Sequence, residues 1–236
     1  MAEPPGELRR NPPRSSPSYA VRAPLARWIR AQADAARARG GTVRVLDVGC
    51  GVKPYAPWFD FAASYVGVDV VENPHADLQG AVEALPVEDG SFDVVLCLQV
   101  LEHCDDPAQA VRELRRATAA GGRVLASTHG VQVYHPSPDD LWRWTHAGLA
   151  RLFKGNADWS SVTVQPGSGT AACLAMLVSI YADLAARRVH AGFAARPVVS
   201  ALNRVSEALD RRSELLRGTR PGTLHANYHV TAEVGA

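Results

Sequence analysis

The stretch Val43-Arg-Val-Leu-Asp-Val-Gly-Cys-Gly51 decides the fold. Val43 to Val48 is a β-branched run without polar alternation, as expected of a strand buried on both faces of a parallel sheet. It passes directly into Gly49-Cys50-Gly51. Glycines at alternate positions let the backbone turn sharply and approach a ligand with no Cβ in the way. In a doubly wound sheet, ligands gather at the C-terminal tips of strands, near the switch point. A lone GxG is common in structural turns, so the flanking chain must carry the rest.

Outward from this tip, further buried strands are read at Ser64 to Asp69, Phe92 to Leu98 and Gly122 to Ser127, with a short one around Ala76 to Gln79. A helical pattern from Pro107 to Ala119 separates two of them, and Asp89-Gly-Ser91 turns into the strand after it. Before the tip, Tyr19 to Arg39 reads as a helix with Leu25, Trp28, Ile29 and Ala33 on one face, ended by Gly40-Gly41. After Thr145 come a helix to about Lys154, a strand near Val162 to Val164 and a loop from Pro166 to Thr170. Two amphipathic helices follow, with stripes Leu174, Leu177, Val178, Tyr181 and Val198, Leu202, Val205, Leu209. Leu224 to Val234 alternates like an edge strand. The fold class is α/β: a doubly wound, Rossmann-like, mostly parallel sheet with a helical insertion before the last strand. Residues 1–18, rich in proline and arginine, read as a disordered leader. Residues 19–236 read as one domain, with 168–222 as its helical insertion or lid.

The bulk properties narrow the class. The chain of 236 residues can bury one substantial core. A formal charge of +1 supplies no field for nucleic acid or anionic membranes. Cys50, Cys97, Cys104 and Cys173 form no CxxC pair and no zinc-binding spacing, so reduced thiols and a cytoplasmic setting are expected. The N-terminus has no apolar signal region. The longest apolar stretch, Ala171 to Ala182, is shorter than the roughly 20 residues of a spanning helix, so no transmembrane segment is read.

Three features sharpen the glycine turn. Pro54 stands where a dinucleotide site would place its third glycine, which argues against a nicotinamide enzyme. Asp47, two residues before Gly49, suits a ligand carrying an ammonium and a sulfonium better than a pyrophosphate. Gly67-Val-Asp69 ends the second strand on a carboxylate that two ribose hydroxyls can reach.

Val45-Leu-Asp-Val-Gly-Cys-Gly51, Tyr65-Val-Gly-Val-Asp69, Glu83-Ala-Leu-Pro86, Asp89-Gly-Ser-Phe-Asp93 and Val100-Leu-Glu-His103 together resemble the ordered motifs of class I S-adenosylmethionine-dependent methyltransferases. More narrowly, they are similar to small-molecule methyltransferases of the ubiquinone-biosynthesis type, over roughly Val43 to Leu152. The resemblance implies S-adenosylmethionine as cofactor, with Asp47, Gly49, Cys50 and Gly51 at its methionine end. It implies Asp69 and Val70 at the ribose, Val82 and Glu83 near the adenine, and Leu98 and Gln99 beside the transferred methyl. Where the family has an aspartate two residues before that glutamate, this chain has Ala81, which leaves adenine to Glu83 or to the backbone around Val82.

Methyl transfer from a sulfonium needs alignment and, where the acceptor demands it, proton removal. No metal is obligatory and none is expected. Ser127 to Asp139 follows the fifth strand, and its His129 and His135 are candidate bases, since a neutral imidazole takes a proton near physiological pH. The structural alternative is a fixed turn, with Trp142 and Trp144 capping the core and Asp139 or Asp140 starting a helix. His103 reads equally as a packed residue and as a wall of the site. The expected partner is a small-molecule acceptor. No nucleic acid is expected, because no Asn-Pro-Pro-Tyr type motif or basic aromatic stripe is present. The apolar helices of 168–222 suit core packing, a hydrophobic substrate, a homodimer contact or a membrane surface. Competing readings are an NAD-dependent oxidoreductase and a non-catalytic nucleoside-binding protein of the same fold.

Overall fold

The computed structural model describes residues 6–136 and 139–236. Strands β1 (Arg44–Val48), β2 (Ser64–Asp69), β3 (Leu78–Gln79), β4 (Phe92–Leu98), β5 (Thr118–His129), β6 (Ser161–Pro166) and β7 (Asn227–Glu233) form one sheet. Its order is β3-β2-β1-β4-β5-β7-β6. Neighbours pair in parallel except at β7, which runs antiparallel to both β5 and β6. The doubly wound, mostly parallel α/β sheet expected from the sequence is therefore present. The strand order reverses between β1 and β4, which puts the crevice beyond Val48 and Leu98.

Side chains alternate across the sheet, so each strand feeds two cores. Leu46 and Val48 of β1, with Val95 and Cys97 of β4, pack under α3 (Pro107–Ala117) and α4 (His146–Asn156) through Val111, Leu114, Leu149 and Phe153. Val45, Val94 and Leu96 face the other way, onto Leu25, Trp28, Ile29 and Ala33. Those four belong to α2 (Tyr19–Arg39), which precedes the sheet in sequence. The β1–β2 connection forms only a short 3₁₀ turn, Ala56–Phe59, because Pro54 and Pro57 deny it helical amides. A helix from ahead of β1 thus covers the face that a crossover helix would otherwise cover. On the opposite face α3 begins cleanly: Pro107 fills the first turn, and Asp106 accepts from the amides of Ala108 and Gln109 at 2.9 and 3.0 Å.

Several expectations need correction. Residues 6–18 are not a loose leader: α1 (Glu7–Arg10) sits against the β1 loop, with Arg10 donating to the Pro54 carbonyl at 2.5 Å. Further along, Asn203 donates to the carbonyls of Arg14 and Ser16 at 2.7 and 3.1 Å. Residues 1–5 of that expectation lie outside the described residues. The closing strand is interior rather than an edge; its alternation arose because the polar side of β7 is itself buried. Asn227 accepts from the Ser127 hydroxyl at 2.8 Å, and His229 stacks on Trp28 with ring centroids 4.6 Å apart. The edge is β6. Helix α4 starts at His146 on a Thr145 cap, not at Asp139 or Asp140. Trp144 packs against the core as anticipated, while Trp142 is more exposed and donates to the Cys104 carbonyl at 2.8 Å.

Between β6 and β7 stand α5 (Thr170–Arg188), α6 (Gly192–Arg212) and the short α7 (Glu214–Arg217). The stripes read from the sequence face outward: Leu174, Val178, Tyr181, Val198, Val205 and Leu209 are exposed. What faces inward is mostly small or polar, with Met176 and Val199 among it: Ala172, Cys173, Met176 and Ser179 of α5, and Ala195, Val199, Asn203, Ser206 and Asp210 of α6. At 19 residues α5 is also long and apolar enough, by length and composition alone, to cross a bilayer, which the shorter stretch read from sequence was not.

Candidate functional site

The tips of β1 and β2 are locked together by their own backbone. Gly49 and Gly51 hold φ of +67° and +52°, a region that side-chain-bearing residues rarely adopt. The amides of Gly49 and Cys50 donate to the Val68 carbonyl at 2.8 and 3.1 Å. The Gly51 amide donates to Asp69 Oδ2 at 3.0 Å, and Asn73 Nδ2 reaches the same oxygen at 3.0 Å. Among the described residues Asp69 Oδ1 has only the Val71 amide, at 3.5 Å, and so retains capacity for hydroxyl donors. A Cβ on Gly51 would meet nothing within 4 Å, so the backbone there is open to a ligand. A Cβ on Gly49 would stand 2.4 Å from Val100 Cγ2, which fixes the β4 loop against the β1 tip.

Asp47 lies just beneath this turn and is buried. Burial pushes its carboxyl up to about 7, against the pull of the Tyr65 hydroxyl that donates to Oδ2 at 2.6 Å and of nearby Lys53. A ligand cation placed above it would draw it back to the ionised form. Cys50 is buried, its sulfur over Gly67. Val70 is exposed beside Asp69. Val82 puts its side chain into the core. Glu83 is engaged: Oε1 accepts from the amides of Asp105 and Asp106 at 2.9 and 3.5 Å. Leu98 is buried among the residues under α2.

At the end of β4, Gln99 adopts φ +60°, a strained conformation for a residue with a side chain. Its amide donates to the Ser127 carbonyl at 2.7 Å and its Nε2 to the Ser127 hydroxyl at 3.0 Å. Three residues on, Glu102 is wholly buried; Oε2 accepts from Thr128 at 2.8 Å, while Oε1 has no hydrogen bond among the described residues and lies 3.3 Å from His129 Nε2. Burial raises the Glu102 carboxyl to about 7 and, with His135 adding to it, lowers the His129 imidazole to about 3. The structure does bring the two predicted histidines together, their ring centroids 5.2 Å apart, with His103 5.1 Å from His135. It also adds a residue that the sequence reading had only as a helix start. Asp140, its side chain fully buried, accepts from the His135 amide at 3.0 Å and is clamped by Arg143 at 2.5 and 2.6 Å. That clamp holds its carboxyl well below the usual range. Residues 137 and 138 of the same segment lie outside the described residues.

Tyr65, Asn73, Glu102 and Asp140 were given no role in the site from sequence. Tyr65 stood inside a quoted motif, and the register pairing Val45 with Tyr65 and Asp47 with Gly67 sets it on the same sheet face as Asp47, one diagonal step away.

Residues 46–126 match a family described as methyltransferase domain. The chain is 38% identical over 100 residues to a malonyl-[acyl-carrier protein] O-methyltransferase of Erwinia pyrifoliae, covering 38% of each. It is 36% identical over 104 residues to a ubiquinone biosynthesis O-methyltransferase of Pseudomonas aeruginosa, covering 36% of this chain and 44% of that protein. The match thus spans less than half the length of these relatives. Among solved structures, the [4+2]-cyclase SpnF superposes with a TM-score of 0.54 at 16% identity, covering 89% of this chain and 82% of its own. That likeness is one of fold.

Proposed function

On the premise that the chain is built on an S-adenosylmethionine-dependent methyltransferase domain, we propose that it moves a methyl group to an O, N or C nucleophile of a small molecule. The observation that carries this is the β1–β2 tip: a backbone left bare at Gly51 beside an Asp69 carboxylate with one oxygen still short of donors. When bound, S-adenosylmethionine supplies a methyl already activated for displacement. The chain's residues supply placement. Gly49, Cys50 and Gly51 receive the methionine end over Asp47. Asp69 accepts from the ribose hydroxyls with Val70 alongside, and the backbone at Val82, rather than the engaged Glu83, meets the adenine. Leu98 and Gln99 border the methyl.

The acceptor lies beyond Gln99, against His129 and His135. His129, held uncharged by burial, is a weak proton acceptor; exposed His135 is the better placed of the two to pass a proton to solvent. Replacing each by alanine tests this: turnover should fall while cofactor binding stays, and unchanged turnover in both variants ends the base role. The function itself is tested by calorimetry with S-adenosylhomocysteine followed by transfer assays on an acceptor panel. Heat with that product, and none with NAD, is the expected result; binding without any transfer favours a non-catalytic nucleoside-binding protein, and stabilisation by NAD alone refutes the reading.

The outward apolar stripes of α5 and α6 serve, in this reading, as a homodimer contact and a lid beside a cytoplasmic active site. Introducing glutamate at Val198 and Leu209 should shift a dimer to monomer by light scattering.

A further inference from the structure

Four ionisable side chains converge at the C-terminal ends of β4 and β5, and two of them, Glu102 and Asp140, have no part in the proposed methyl transfer. Glu102 and Asp140 have fully buried side chains, that of His129 is 6% exposed, and that of His135, at 45%, borders solvent. His129, His135 and Asp140 each offer a donor atom, and the three atoms lie within 4.8 Å of one another. Within the group, His129 Nε2 lies 3.3 Å from Glu102 Oε1. Around a tetrahedral ion with bonds of about 2.0–2.2 Å, neighbouring donors stand about 3.3–3.6 Å apart.

A second observation points the same way. Glu102 Oε1 is buried with no hydrogen-bond partner among the described residues, a state costly for a carboxylate oxygen unless a cation or donor meets it. Asp140 retains capacity too. A carboxylate has about four lone-pair sites; among the described residues Arg143 takes one on each oxygen and the His135 amide takes the second on Oδ2, so the remaining site is on Oδ1. The guanidinium then orients the carboxylate from behind, as an outer-shell partner does. We infer that His129, His135 and Asp140, with Glu102 beside them, bind one divalent transition-metal ion. Two imidazoles with carboxylates favour zinc-like ions over magnesium or calcium, which prefer all-oxygen sets. His135, 45% exposed, marks the entry path. The inference goes beyond the methyl-transfer reading and stands without it.

The test is calorimetric titration of Zn2+ into the full chain after chelator treatment, with Co2+ as a spectroscopic probe of tetrahedral geometry. One equivalent should bind, His135→Ala and His129→Ala should each weaken it at least tenfold, and Glu102→Gln should weaken it 10- to 100-fold. His135 is the more exposed of the two histidines, so its variant carries the test if the His129 variant does not fold. Thermal unfolding and S-adenosylhomocysteine calorimetry on the same samples report integrity independently. No stoichiometric uptake by the parent chain, or uptake unchanged in both histidine variants, overturns the inference. Zinc uptake without S-adenosylhomocysteine binding sustains the metal site and removes the methyltransferase reading.

Discussion

Single residues at the strand tips carry the sharpest consequences. Gly49→Ala must hold φ +67° and drive a methyl into Val100; a left-handed side-chain residue costs about 1–2 kcal/mol before any clash. It should lower the unfolding midpoint and cofactor affinity together, whereas Gly51→Ala, at φ +52° but facing open space, should act chiefly on affinity. Asp69→Ala should abolish measurable S-adenosylhomocysteine heat while leaving the circular dichroism of the sheet intact; normal binding would remove Asp69 from the ribose role. Buried His229 bears on pH. Burial depresses its imidazole from 6.5 to about 3, so the unfolded chain takes up the proton first. The stability tied to its neutral form is present above pH 6.5 and is lost as pH falls towards about 3. His229→Phe keeps a ring on Trp28 and removes the proton, so its unfolding midpoint should fall less steeply across that window; identical slopes would refute the assignment. Asp47, raised to about 7, acts with opposite sign, its contribution being lost as pH rises through that value. The places of Gly49, Gly51 and Asp69 at the strand tips were legible in the sequence, because a tight turn after a strand favours glycine and the apolar run before Asp69 fixes where that strand ends. Glu102 was not, because it follows a strand end where no periodicity says which way a side chain turns.

At the scale of elements, legibility followed hydrophobic period. Ser64–Asp69 and Phe92–Leu98 were read with their observed bounds, since strands covered on both faces are uninterrupted apolar runs. Period failed where polar groups were buried in company. Thr231, His229 and Asn227 gave β7 the look of an edge, and Asn203, Ser206 and Asp210 gave α6 a polar side that is its inner one. Asp210 shows why that side turns inward: its two oxygens accept from the amides of Ala171 and Ala172 at 3.0 Å each, capping α5 from another helix. Asp210→Ala should cost about 1–2 kcal/mol by chemical denaturation, in line with loss of a helix cap. A change under 0.5 kcal/mol would show the α5 terminus satisfied in another way.

For the whole molecule, α2 binds the sheet's first half to its last strand. Trp28 packs over Val45 and Leu96 and stacks on His229. Trp28→Ala should therefore destabilise the entire sheet by about 3–5 kcal/mol in a single cooperative transition. Two separate transitions would mean the halves fold apart. Length and composition had pointed to one core, but not to a helix from ahead of the first strand serving as its cover.

The interior seat of β7 also bears on synthesis. While the chain is still emerging from the ribosome, β5 and β6 are made long before Asn227–Glu233, yet neither pairs with the other in the finished sheet. Both must wait with open edges for the final segment, a delay that long-range pairing prolongs and that exposes a nascent chain to aggregation.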